Sequence, residues 1–103
     1  MKLDIRPRDL KIIQNILRAR LPQSAGVWVF GSRAKQNAKR FSDLDLAVNT
    51  GSALSLHELA QLTSDFEASD LPYKIDVVNM CSISPAFKRL IDQDKIPLDF
   101  PNT

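Results

Sequence analysis

Two aspartates one residue apart, Asp43 and Asp45, head an alternating segment, Ser42-Asp43-Leu44-Asp45-Leu46-Ala47-Val48. The period of two in an extended strand puts both carboxylates on one face, a few ångströms apart. Like charges that close repel unless a cation joins them. Hard oxygen ligands suit Mg²⁺, which keeps several waters and bridges a carboxylate to a substrate phosphate. An isolated Asp-x-Asp is more often the exposed face of an edge strand. Asp76 shifts that balance, because it lies within the apolar run Ile75-Asp76-Val77-Val78, where an unpaired carboxylate carries a desolvation cost. If its strand pairs beside the Asp43–Asp45 strand, three acids can converge on one cation site, with Asp76 the least solvated.

A second motif lies upstream. Gly31-Ser32-Arg33 follows the short apolar run Val27-Trp28-Val29-Phe30 and precedes a stretch that can open a short helix. Backbone N–H groups and a helix N-terminus favour phosphate in that setting. Glycine lets the chain approach a ligand closely, and the Ser32 hydroxyl can donate to its oxygens. Arg33, Lys35, Lys39 and Arg40 lie between the glycine and the acids, where they could steer a polyphosphate. A glycine after a strand is by itself only a turn signal.

The surrounding pattern supplies the elements that must hold these residues. Leu10, Ile13, Ile16 and Leu17 recur at helical spacing between Pro7 and Pro22, which predicts a helix over 8–20. Val27–Phe30 suits a strand buried on both faces. Ser55 followed by Glu58 is a capping-box pattern, and Leu56, Leu59, Leu62 and Phe66 continue a helical stripe to about 69. Tyr73–Val78 predicts a third strand. Ser84-Pro85 offers a cap and first-turn proline for a last helix through Phe87, Leu90 and Ile91, followed by an extended tail. The fold class expected is α/β (α+β), a small mixed β-sheet with helices packed against it, as a single domain over residues 1–103.

With 103 residues the chain has room for one thin core and no second large domain. Its 44% hydrophobic and 25% charged content is that of a globular protein, and no apolar run approaches the ~20 residues that span a bilayer. A lone cysteine and an N-terminus without a secretory pattern predict a cytoplasmic location. A net charge of +2, with few aromatics among the basic residues, argues against a nucleic-acid partner. His57, Cys81, Trp28 and Phe66 carry no motif. His57 is expected to face solvent, and the other three to pack.

Gly31-Ser32-Arg33-Ala34, then Ser42-Asp43-Leu44-Asp45-Leu46, with Asp76 later, resembles the nucleotidyltransferase superfamily that includes DNA polymerase beta. The pattern is most similar to the minimal nucleotidyltransferases, small stand-alone members of antitoxin type, and the resemblance spans roughly residues 26–79. Gln36 departs from the glycine that small members often carry in this loop. The resemblance implies a catalytic and metal-ligating triad of Asp43, Asp45 and Asp76, with nucleotide bound at Gly31, Ser32 and Arg33. It also implies two Mg²⁺ ions (or Mn²⁺), with a nucleoside monophosphate transferred from an NTP, expected to be ATP, to a partner protein. That partner would be a separately encoded, all-helical HEPN-type chain in a toxin–antitoxin pair, so a homo- or hetero-oligomer is expected. The tail Ile96–Pro101 is one place such a partner could touch, its alternative being to pack on its own domain. The competing function is a non-catalytic interaction module that neutralises a partner by binding.

Overall fold

The computed structural model describes residues 5–34, 43–51 and 54–100. Helix α1 (Pro7–Arg20) starts at a proline whose fixed φ suits a first turn. Asp9 near its start and Arg18 and Arg20 near its end complement the helix dipole. Helix α2 (Leu56–Glu67) has the full capping box: the Ser55 hydroxyl accepts from the Glu58 N–H at 3.0 Å, and the Ser55 N–H donates to Glu58 Oε1 at 3.1 Å. Helix α3 (Pro85–Asp94) is capped by Ser84, whose hydroxyl accepts from the Phe87 N–H.

Among the described residues four strands form one sheet: β1 (Gly26–Phe30), β2 (Leu44–Asn49), β3 (Ile75–Asn79) and β4 (Ile96–Pro97), in the order β3-β2-β1-β4. β1 runs antiparallel to both β2 and β4, while β2 and β3 are parallel. Parallel neighbours need a crossover, and α2 supplies it. The sheet is therefore mixed, as the sequence predicts.

The alternation of each strand divides the sheet into two unlike faces. Val27, Val29, Leu44, Leu46, Val48 and Ile75 form one core with Ile13 and Leu17 of α1 and Leu62 and Phe66 of α2. Arg20 at the end of α1 also grips Asp65 of α2, with Nε 2.6 Å from a carboxylate oxygen. The opposite face has a smaller cluster, Ala47, Met80 and Ile91, with Phe30, Val78 and Ile83 beside it. α3 contributes only Ile91 as a buried residue.

One open alternative is decided here and two expectations are corrected. The tail turns inward: Ile96, Leu98 and Phe100 are buried in the main core, and Ile96-Pro97 pairs with β1 as a fourth strand. Its described part thus takes the alternative of packing on its own domain, with Pro97 and Asp99 left exposed. Trp28 is only half-buried, because the pleat turns it to the second face, where its indole lies across Gly26 and the Lys95 ammonium sits 4.7 Å from the ring centroid. Cys81 is exposed rather than packed. Among the described residues no helix is long and apolar enough to cross a membrane.

Candidate active site

The parallel register sets Asp45 of β2 directly opposite Asp76 of β3, and the antiparallel register sets Phe30 of β1 opposite Asp45 from the other side. These three residues form a row on the second face, at the end of the sheet where β1 finishes and β2 and β3 begin. Asp43 lies two residues before Asp45, just outside the strand, and is exposed. Its charge still reaches the row. The Asp45 carboxyl is raised above the usual carboxylate range, first by burial, then by the negative charges of Asp76 and Asp43.

Asp76 was expected to be the least solvated of the three, and the structure corrects this. Its side chain keeps 43% of its surface exposed, and Lys74 Nζ lies 3.4 Å from its Oδ1. The reason is position in the sheet: β3 is an edge strand, whereas β2 is flanked on both sides. The apolar neighbours of Asp76 in sequence point to the other face or lie beyond it, so they do not enclose it.

Among the described residues no group of three or more His, Cys, Asp or Glu is gathered tightly enough to form a ready-made metal cage. The donor chemistry nevertheless fits Mg²⁺. All candidate ligands are hard carboxylate oxygens, and Mg²⁺ commonly takes one or two of them together with waters and substrate phosphates. Burial is the first cause of the upward shift at Asp45, and the part that Asp76 and Asp43 add is what a cation would relieve.

β1 ends directly in a single 3₁₀ turn, Gly31–Arg33, closed by a 3.1 Å bond from the Ala34 N–H to the Gly31 carbonyl. Gly31 has φ +75°, a conformation that L side chains rarely adopt, and a methyl group there would collide with Asp45 Oδ2. Glycine is therefore favoured twice, by the turn and by its approach to the acid. Ser32 is half-buried beside it. Lys35, Gln36, Lys39, Arg40 and Ser42 lie outside the described residues.

Arg33 is 6% exposed, and its guanidinium carbon lies 3.9 Å from the centroid of the Tyr73 ring. The Tyr73 hydroxyl donates to Asp9 Oδ2 at 3.2 Å, and Arg6 Nε stands 4.0 Å from the same oxygen. Burial, with the charge of Asp9, pushes the Tyr73 hydroxyl up to about 12. Sequence reasoning missed Asp9 and Tyr73. An acid in a first helical turn reads as a dipole complement, and a tyrosine before a strand reads as packing.

The site and the sheet define a class. A model of the polymerase beta nucleotidyltransferase family matches residues 11–98, and the chain belongs to that family. Nucleotidyltransferases generally work with divalent metal ions. The chain is 38% identical over 90 residues to the probable protein adenylyltransferase MntA of Haemophilus influenzae, a match covering 87% of this chain and 78% of the relative. In fold it is similar to a chain of a toxin–antitoxin crystal structure with AMP-PNP (TM-score 0.76, 24% identity, 91% of this chain and 75% of that one). It is also similar to a chain of the complex between the tri-AMPylated HEPN toxin of Shewanella oneidensis and an MNT antitoxin (TM-score 0.64, 22% identity, 86% of this chain and 71% of that one).

Proposed function

We propose that this chain, as a single nucleotidyltransferase domain, transfers AMP from ATP to a partner protein and so serves as an antitoxin. The observation that carries the reading is the register pair Asp45–Asp76, set against a turn whose left-handed φ favours glycine. Two Mg²⁺ ions, or Mn²⁺ in their place, would be held by Asp43, Asp45 and Asp76 and would supply charge neutralisation on the polyphosphate. Gly31, Ser32 and Arg33 form the nucleotide-binding turn. The amides of its first residues and the Ser32 hydroxyl are the donors suited to phosphate oxygens.

The transfer joins an acceptor hydroxyl oxygen to the α-phosphorus and breaks the bond to the β-phosphate bridging oxygen, so pyrophosphate leaves. Asp76, open to solvent on the edge strand, is the group to which we assign the hydroxyl proton. Asp45, the more desolvated acid, lies beside the turn, where it would hold a cation between itself and the polyphosphate.

The acceptor class rests on the relatives. The Haemophilus influenzae relative carries the name of a protein adenylyltransferase, and the Shewanella oneidensis complex pairs an MNT antitoxin with an AMPylated HEPN toxin. A separately encoded, all-helical HEPN-type partner is therefore the proposed acceptor, and ATP the proposed donor. An enzyme drawing on ATP with a lone exposed thiol suits the cytoplasm.

Incubating the purified chain with ATP labelled in its α-phosphate, Mg²⁺ and the protein encoded beside it tests the proposal. Label on the neighbour that disappears with Asp45→Asn is expected. A tight complex without label would leave the chain a binding module, and the enzymatic reading would fall.

A further inference from the structure

We infer that Arg33 acts as a positioning residue, clamped by its stack on Tyr73, which sets the nucleotide-binding turn in register with the strand that carries Asp76. The inference rests on the nucleotidyltransferase reading and specifies how one residue of its turn works.

A three-residue 3₁₀ turn has little means of holding its own shape. It is closed by the bond from the Ala34 N–H to the Gly31 carbonyl, and its glycine carries the largest conformational freedom of any residue. The shape is imposed from outside. Ala34 is 2% exposed and anchored in the main core, and Arg33 is 6% exposed with its guanidinium against the Tyr73 ring. So little of Arg33 meets solvent that its guanidinium has scant surface to offer a phosphate, unlike the half-buried Ser32 beside it.

The location of Tyr73 gives the stack its consequence. It stands three residues before Asp76, at the entry to β3, with Lys74, the ion-pair partner of Asp76, between them. Its hydroxyl is fixed in turn by Asp9, itself 5% exposed, in the first turn of α1. Three segments far apart in the chain thus meet at one ring: α1 at Asp9, the turn at Arg33 and the start of β3 at Tyr73. A displaced ring would move Ser32 and Asp76 relative to each other. Arginine suits this post because its planar guanidinium can lie flat on an aromatic face, whereas a lysine ammonium, drawn to a ring as Lys95 is to Trp28, meets it only as a point charge.

The test measures MgATP and AMP affinity by calorimetry, and exchange of the Ala34 amide by hydrogen–deuterium methods, in the wild type, Arg33→Lys, Tyr73→Leu, Tyr73→Phe and the Arg33→Lys/Tyr73→Leu pair. Losing the stack should weaken MgATP binding about tenfold in either single variant and leave AMP affinity unchanged. The double variant should be no worse than its worse parent, because both remove the same contact. Ala34 exchange should accelerate in both singles, with or without nucleotide, while Tyr73→Phe, which keeps the ring, should bind MgATP within about threefold of wild type. Losses that multiply in the double variant, or an Ala34 amide indifferent to Tyr73→Leu, would overturn the positioning role. A wild type that binds no MgATP would remove the nucleotide reading, yet the exchange data would still decide whether the stack holds the turn.

Discussion

The two faces of the sheet are built to opposite standards. Beneath α1 and α2 the strands present Val27, Val29, Leu44, Leu46, Val48 and Ile75, all nearly or wholly buried. On the other face the same strands present Trp28, Phe30, Asp45, Ala47, Asp76 and Val78, and α3 covers that face with a single buried residue. The comparison shows where stability is stored and where it is given up. A half-buried carboxylate beside other acids is unfavourable to folding: the Asp45 carboxyl is raised first by burial and then by the negative charges of Asp76 and Asp43. The apolar face must offset it. Leu46 lies 0% exposed immediately after Asp45, so one strand serves both purposes through nothing more than its period of two.

The sharpest way to break the comparison is to alter the acid row. Asp45→Asn should lower nucleotide transfer on the order of a thousandfold or more, since it removes a carboxylate proposed to ligate metal, and labelled-ATP assays would read it. Without metal the same variant should be at least as stable as wild type, because repulsion is relieved. On the apolar face the outcome reverses. Leu17→Ala should cost about 2–5 kcal/mol in urea unfolding, as a buried leucine truncated in a packed core leaves a cavity. Any loss of transfer should then follow the unfolded fraction alone.

Gly31→Ala stands between these extremes, because it belongs to both regions. A left-handed φ costs a non-glycine residue about 1–2 kcal/mol, and the collision with Asp45 Oδ2 adds to that. Nucleotide affinity should fall by more than the stability loss explains. Smaller still, Ser55→Ala removes a cap remote from the acids, so about 1 kcal/mol of stability should go with kinetics unchanged.

The pH dependence distinguishes the two faces as well. A carboxyl raised in the folded state binds its proton more tightly there than in the unfolded chain. Its contribution is present in full below the unfolded value, near 3.9 for aspartate, and is lost as pH rises through the raised folded value. Metal-free protein should therefore lose stability from this residue on going from acid toward neutral pH, and the slope should flatten in Asp45→Asn.

Much of this arrangement was legible in the chain. The caps at Ser55 and Ser84 and the stripe Ile13–Leu17 define helices through local rules, and Asp-x-Asp declares its shared face because strand period is also local. What was hidden depends on pairings distant in sequence. The burial order of the acids follows from β3 being an edge strand, which the apolar neighbours of Asp76 conceal. β4 exists only because Ile96 and Pro97 return to Val29 and Trp28. The Asp9–Tyr73–Arg33 contact joins three segments whose individual residues each have an ordinary local explanation.

The central claim, that the open face holds acids kept apart for metal and nucleotide, is tested most directly by thermal melts of wild type and Asp45→Asn, each with and without Mg²⁺ and a non-hydrolysable ATP analogue. The account predicts that metal-free Asp45→Asn melts no lower than wild type, and that Mg²⁺ with the analogue raises the wild type's melting temperature while leaving the variant's in place. An equal rise in both proteins, or a metal-free variant that melts well below wild type, would contradict it.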